Sequence, residues 1–182
     1  LLNRVFEPIP ETFNDMFNKS IEFKFLRRCM DKGIISFDSI RDAMQNFQKQ
    51  FPDLKSFYLV FLCWFAPEMD SKMFNQFNSL MNEQIVMKKC PGFLKDFSTD
   101  FPFLRQNNWK QFKERVKYGH FMNTVAYCLK YDDIDGFSQI TSQNNFNFNF
   151  FIKPSIYEPS PILRDGAPLI HFAAYFGSIQ CF

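Results

Sequence analysis

Only two histidines, His120 and His171, are available to this chain, and that scarcity limits the chemistry it could perform. A hydrolytic or transfer centre needs a nucleophile, a base and a group that orients the base, all converging on one point. A Cys128–His171 pair is conceivable, but nothing nearby supplies an oxyanion hole or an orienting carboxylate. Cys29, Cys63, Cys90, Cys128 and Cys181 contain no CxxC pair. No HExxH, GxGxxG or GxxxxGK occurs either, so metal ligation and phosphate cradling lack the spacings they require. We therefore assign no catalytic residue, no cofactor-binding residue and no metal ligand, and expect a protein that is not an enzyme. His120, beside Gly119, is expected to be exposed or to cap a helix start. Asp132-Asp133-Ile134-Asp135 could attract a cation, but its first two carboxylates suit a turn between helices. Asp135 suits the first turn of the next helix, where a negative charge meets the positive end of the dipole.

The densest basic segment holds Arg105, Lys110, Lys113, Arg115 and Lys117, interleaved with Trp109 and Phe112. Cations among aromatic rings suit single-stranded nucleic acid. At helical spacing, however, the rings turn to the core and the cations form a solvated face. A nucleic-acid-binding helical domain using Arg105 to Lys117 is thus the alternative reading.

The background that must position these groups is ordinary globular composition, 46% hydrophobic and 22% charged over 182 residues, enough for one sizeable domain or two small ones. A net charge of +2 makes no global case for nucleic acid or an acidic membrane. The 27 Phe against 6 Gly suit a core of large rings carried on helices. An odd number of cysteines without a CxxC pair points to a reduced, intracellular and cytoplasmic setting. The longest apolar run, Phe57 to Pro67, is too short to span a bilayer. The chain opens on Leu1 and stops inside a helical pattern at Phe182, which suggests a piece of a longer protein.

Helical periodicity dominates. Phe37, Ile40, Met44, Phe47 and Phe51 form one stripe, with Ser36 as N-cap and Pro52 beyond the end. Phe13, Phe17, Ile21, Phe25 and Cys29 form another, stopped by Gly33. Leu54 to Phe65 is apolar nearly all round and marks a helix in the middle of a bundle. Met73, Phe77, Leu80, Met81 and Ile85 make a further stripe, ended at Pro91-Gly92. Phe93 to Pro102 reads as irregular, and Trp109, Phe112 and Val116 begin a short helix that stops near Gly119. Phe146 to Phe150, the one stretch of period two, reads as an extended loop or hairpin arm before the proline-rich segment Pro154 to Pro161. The class is all-α.

Two stretches align with each other. Val125 matches Ile170, Ile134 matches Ile179 and Phe137 matches Phe182, an offset of 45 residues. Each copy reads as a helix, a polar turn and a second helix, the unit of a helix-pair solenoid. In the second copy, Gly166-Ala167-Pro168-Leu169-Ile170-His171-Phe172-Ala173-Ala174-Tyr175-Phe176-Gly177 resembles the ankyrin signature, with Gly166, His171, Ala173, Ala174 and Gly177 on matching positions. Pro168 arrives one residue early, which disturbs the usual hydrogen bonding at the helix start. Phe146-Asn147-Phe148-Asn149 resembles the family's Ala-Asp-Val-Asn. The long, Phe- and Asn-rich repeat is similar to an ankyrin family expanded in parasitic protists, the trichomonads, whose members carry an N-terminal helical domain. The resemblance implies an α-helical N-terminal domain over 1–117 and ankyrin-type repeats over 118–182. It implies protein–protein interaction, as a scaffold or adaptor, without cofactor or small-molecule substrate. His171 would bridge neighbouring loops. The insert 151–163 lengthens the repeat beyond the usual span of about 33 residues. It makes the loop 144–165 the natural contact arm, with Phe150, Phe151 and Tyr157 as candidate anchors for a protein partner. Ile170, Ala173, Ala174 and Phe182 would remain partly uncovered where a further repeat could stack.

Overall fold

In the computed structural model the described residues are 2–6, 13–86, 92–143, 145–160 and 162–181. Expectations that fall on Cys90, Pro91, Asn144, Pro161 and Phe182, or on the side chains of Phe13, Phe17 and Ile85, lie outside them. The chain is all-α in class, and its strand content among the described residues is one two-residue antiparallel pair. It divides into two compact units, Leu1–Ser98 and Thr99–Phe182. The helix expected to close an N-terminal domain at 117 thus falls in the second unit.

In the first unit, α1 (Leu2–Val5), α2 (Phe13–Asp31) and α3 (Phe37–Gln50) precede α4 (Lys55–Trp64), and α5 (Ser71–Val86) follows it. Every residue from Phe57 to Ala66 is buried, because α4 is apolar on all sides and must be covered on all sides. α2 and α5 pack directly against it. Phenylalanine supplies the fill: Phe47 and Phe23 lie 4.6 and 5.2 Å from the Phe57 ring, and Phe61 lies 4.9 Å from Phe65. Ring pairs at these separations add attraction beyond burial alone. α3 buries Ile40, Met44 and Phe47 as its stripe predicts, and the Ser36 hydroxyl caps its start by accepting from the Ser39 amide.

α2 follows its predicted stripe at Cys29, which is buried, and departs from it at Ile21 and Phe25. Ile21 and Phe25 are 53% and 51% exposed, while Phe23, Leu26 and Arg27 are buried. The segment offers two overlapping apolar rows, and the core takes the one that sets Phe23 among Phe57, Phe61 and Phe65. Arg27 tolerates burial because it pairs with Glu68 at 2.5 Å and Asp31 at 3.1 Å.

The stretch expected to be irregular is a helix, α6 (Gly92–Leu104), with Pro102 inside its last turns. Phe93, Leu94, Phe97, Phe101 and Leu104 form its buried row. That row outweighs the lost amide donor of an exposed proline close to the helix end.

The dividing line between units falls within α6. The second unit continues through α7 (Gln106–Tyr118), α8 (Val125–Tyr131), α9 (Ile134–Thr141), β1 (Phe151–Ile152), β2 (Ala167–Pro168) and α10 (Leu169–Phe176). α7 begins with a left-handed turn at Asn107, Asn108 and Trp109, whose φ values are 51°, 53° and 63°. α8 and α9 form a helix pair, and α10 packs on α8. β1 pairs with β2, Phe151 opposite Pro168 and Ile152 opposite Ala167, while the predicted arm Phe146 to Phe150 is irregular and leads into β1. Its core joins Val125, Leu129, Phe137, Ile152, Leu163 and Phe172.

Candidate functional site

The turns of the two copies touch each other. Asp132 takes a left-handed φ of 51° at the end of α8, and Gly177 takes 64° at the same place after α10. Both residues end their helices by the same device, and only the second is free of a Cβ penalty. Asp132 uses its side chain instead. Its carboxylate accepts from the amide of Gln180 at 3.0 Å and of Cys181 at 3.3 Å. The Ser178 hydroxyl donates to the Leu129 carbonyl. Asp133 caps α9 by accepting from the Gly136 amide at 3.1 Å, so two acids of the run are turn residues. Among the described residues no group of three or more His, Cys, Asp or Glu is placed to hold a metal ion.

Equivalent positions in the two copies differ sharply in exposure. Val125, Ala126 and Leu129 on α8 are buried, whereas their counterparts Ile170, His171 and Ala174 on α10 are exposed. Ile170 and Ile179 are 55% and 84% exposed, an apolar face on the outer side of the second copy. Ala173 is buried, contrary to expectation, because its face of α10 is the one turned to the unit's own core. His171 does not bridge loops: its ring is exposed, and no hydrogen bond reaches it among the described residues. Nor does it approach the role of a base for Cys128, whose thiol is buried and pushed up by burial and then by Asp133.

The arm splits the candidate anchors. Phe150 and Phe151 are 42% and 52% exposed, with Phe148 beyond them at 60%. Tyr157 is fully buried and is corrected from anchor to core. The insert folds back as a buttress: Tyr157 packs edge-on against Phe112 at 5.9 Å, and the Ser155 hydroxyl donates to the Gly119 carbonyl at 2.6 Å. Gly166 begins the return to β2 with φ +87°, and a Cβ there would lie 2.5 Å from the Ile152 carbonyl oxygen.

Comparisons with protein-family models, curated proteins and solved structures find no match. The ankyrin resemblance rests on its own residues.

A buried polar cluster locks the insert and was not legible beforehand. Glu158 is 1% exposed and pairs with Lys130 at 2.7 Å, while its second oxygen accepts from the Ser160 amide at 3.1 Å. His120, expected to be exposed or capping, is buried against the Phe172 ring at 5.4 Å, with Nε2 3.4 Å from Glu158. That distance is an electrostatic contact and longer than an aligned hydrogen bond. Burial pushes the His120 imidazole down, more than Glu158 raises it. Burial would raise the Glu158 carboxyl, but His120 and Lys130 outweigh it and hold it below the usual range. No local spacing announces a cluster whose ion pair joins residues 28 apart.

Beside this cluster, at the base of the arm, lies a cleft of about 450 Å³. Its apolar wall is Val125, Ala126, Ile140, Phe146, Phe150 and Ile152. Its polar wall carries Arg115, Asp100 and His120, with Lys153 at the same opening. Arg115 is buried, bonded to Asp100 at 2.5 Å and set 4.8 Å from the Phe121 ring and 5.8 Å from Tyr157.

In the basic segment, Arg105, Lys110, Lys113 and Lys117 are exposed. Phe112 is fully buried, and Trp109 is half-buried with its ring against Phe101 and Phe112. The segment offers cations without an open stacking platform. No helix among the described residues is long and apolar enough to cross a membrane.

Proposed function

We propose that the chain is a protein-binding module of the ankyrin type, a scaffold or adaptor and not an enzyme. The observation that carries the reading is the contrast between copies: positions covered on α8 by α10 are open on α10 itself. An outer face with Ile170 and Ile179 exposed, next to an arm presenting Phe148 and Phe151, is costly to leave in water and suits a protein partner. Inner-helix faces and hairpin tips are where helix-pair repeats present concave binding surfaces. The buttressed insert supports this reading, because it fixes the base of the arm and limits the ordering cost of binding.

The test is site-specific photo-crosslinking in the source cells. A photoreactive residue at Phe151 or Ile170 should trap discrete protein adducts, and one at the exposed Ser39 of α3 should not. The same adducts at all three positions, or none at any, would sink the proposal.

A further inference from the structure

The cleft at the base of the arm has the size of a ligand site, since small-molecule pockets run from roughly 300 to 1,000 Å³. It also has the required mixture, a broad apolar wall with a few convergent polar groups. Arg115 is the decisive one. Asp100 and the Phe121 and Tyr157 rings hold its guanidinium in place. The bond from Nη1 to Asp100 is the guanidinium's one hydrogen bond among the described residues, which leaves other N–H donors for an acceptor in the cleft. A guanidinium fixed in this way is preorganised for a planar carboxylate. The charges on the cleft are Asp100, Arg115 and Lys153, with His120 held neutral by its burial, so one positive charge is left over. Lys153 is exposed and forms no ion pair among the described residues. One surplus charge suits a monoanion. The carboxylate of Asp100 disfavours a dianion such as a phosphate monoester.

We propose that this cleft binds a small amphipathic monocarboxylate, with the carboxylate on Arg115 and Lys153 and an aryl or alkyl body against Val125, Ile140, Phe150 and Ile152. The site is separate from the outer face of α10, and the proposal does not depend on the protein-binding reading.

The experiment is a titration of the full chain, carrying labelled isoleucine and valine methyl groups, with 4-phenylbutyrate, octanoate, 4-phenylbutanol and phenyl phosphate. The acids should move the Ile140, Ile152 and Val125 signals saturably and bind about tenfold or more tightly than the alcohol. Phenyl phosphate should bind more weakly than phenylbutyrate. Lys153→Gln, at an exposed position, should remove part of the acid's advantage, Arg115 holding the rest, and leave alcohol binding unchanged. Phe150→Ala should weaken acid and alcohol alike. Equal binding of acid and alcohol, shifts confined to other methyls, or no saturable shift overturns the proposal. So does capture of peptides with an apolar C-terminal residue while the free acids stay inert.

Discussion

Asp132 shows how one residue can carry two burdens. It occupies a left-handed turn that glycine would fill without strain, as Gly177 does in the second copy, yet its carboxylate holds the amides of Gln180 and Cys181. Asp132→Ala keeps the strained φ and loses those bonds, so it should cost about 2 kcal/mol in urea unfolding. Asp132→Asn, which keeps an acceptor and tolerates the turn, should cost less than half as much. Equal losses would mean that the carboxylate does not tie the turns together. His120 and Glu158 set the response to acid. Both have folded pKa values below their ordinary 6.5 and 4.5, so the unfolded chain takes up these protons first as pH falls. Their contribution is present above the ordinary values and is lost on acidification, His120's below 6.5 and Glu158's below 4.5. Lys130 and Arg115 face the same pair and add to the cost of protonating His120. Urea midpoints should fall between about pH 7 and pH 5, and His120→Phe should flatten that part of the curve. A wild-type profile no steeper than the variant's would remove His120 from the account.

At the scale of elements, the rows that the sequence displays are those with one apolar solution. α3 has a single stripe, Ile40, Met44 and Phe47, and it is the buried one. α4 has no polar face and is enclosed. α2 offers two rows, and only the ring partners of Phe23, far along the chain, decide between them. α6 was hidden by Pro102, which removes a helical amide donor; the buried row from Phe93 to Leu104 outweighs that loss. The segment before β1 was legible as non-helical, and of the candidate anchors Phe150 and Phe151 are exposed. Tyr157 and Glu158 were not legible, because their burial depends on Phe112, Lys130 and His120 from other helices. The left-handed start of α7 also left no sign. Left-handed backbone at Asn107 and Asn108 is tolerable for asparagine yet still strained. Asn108→Gly should therefore raise stability by about 0.5–1 kcal/mol, the reverse of glycine's usual effect in a helix. A loss in a thermal or urea melt would show that this turn is not left-handed in solution.

Across the whole molecule, each unit owns one of the two tryptophans, Trp64 in the first and Trp109 in the second. Trp64 is buried in α4, and Trp109 packs between Phe101 and Phe112. Replacing one or the other with phenylalanine gives a fluorescence probe for each unit. Two compact units with separate cores should yield two distinct urea midpoints, and a truncation such as Leu59→Ala should move only the Trp64 transition. One shared midpoint for both probes would make the chain a single cooperative block. The cysteines extend the same division to time. Cys29 and Cys63 are buried in the first unit, and Cys128 and Cys181 in the second. At Cys181, burial first and then Asp132 push the thiol up to about 11, so it is scarcely nucleophilic while covered. A thiol reagent can modify these side chains only when the surrounding helices part. With Cys90 changed to serine, the four labelling rates become clocks for how often each region opens, read in native buffer without denaturant.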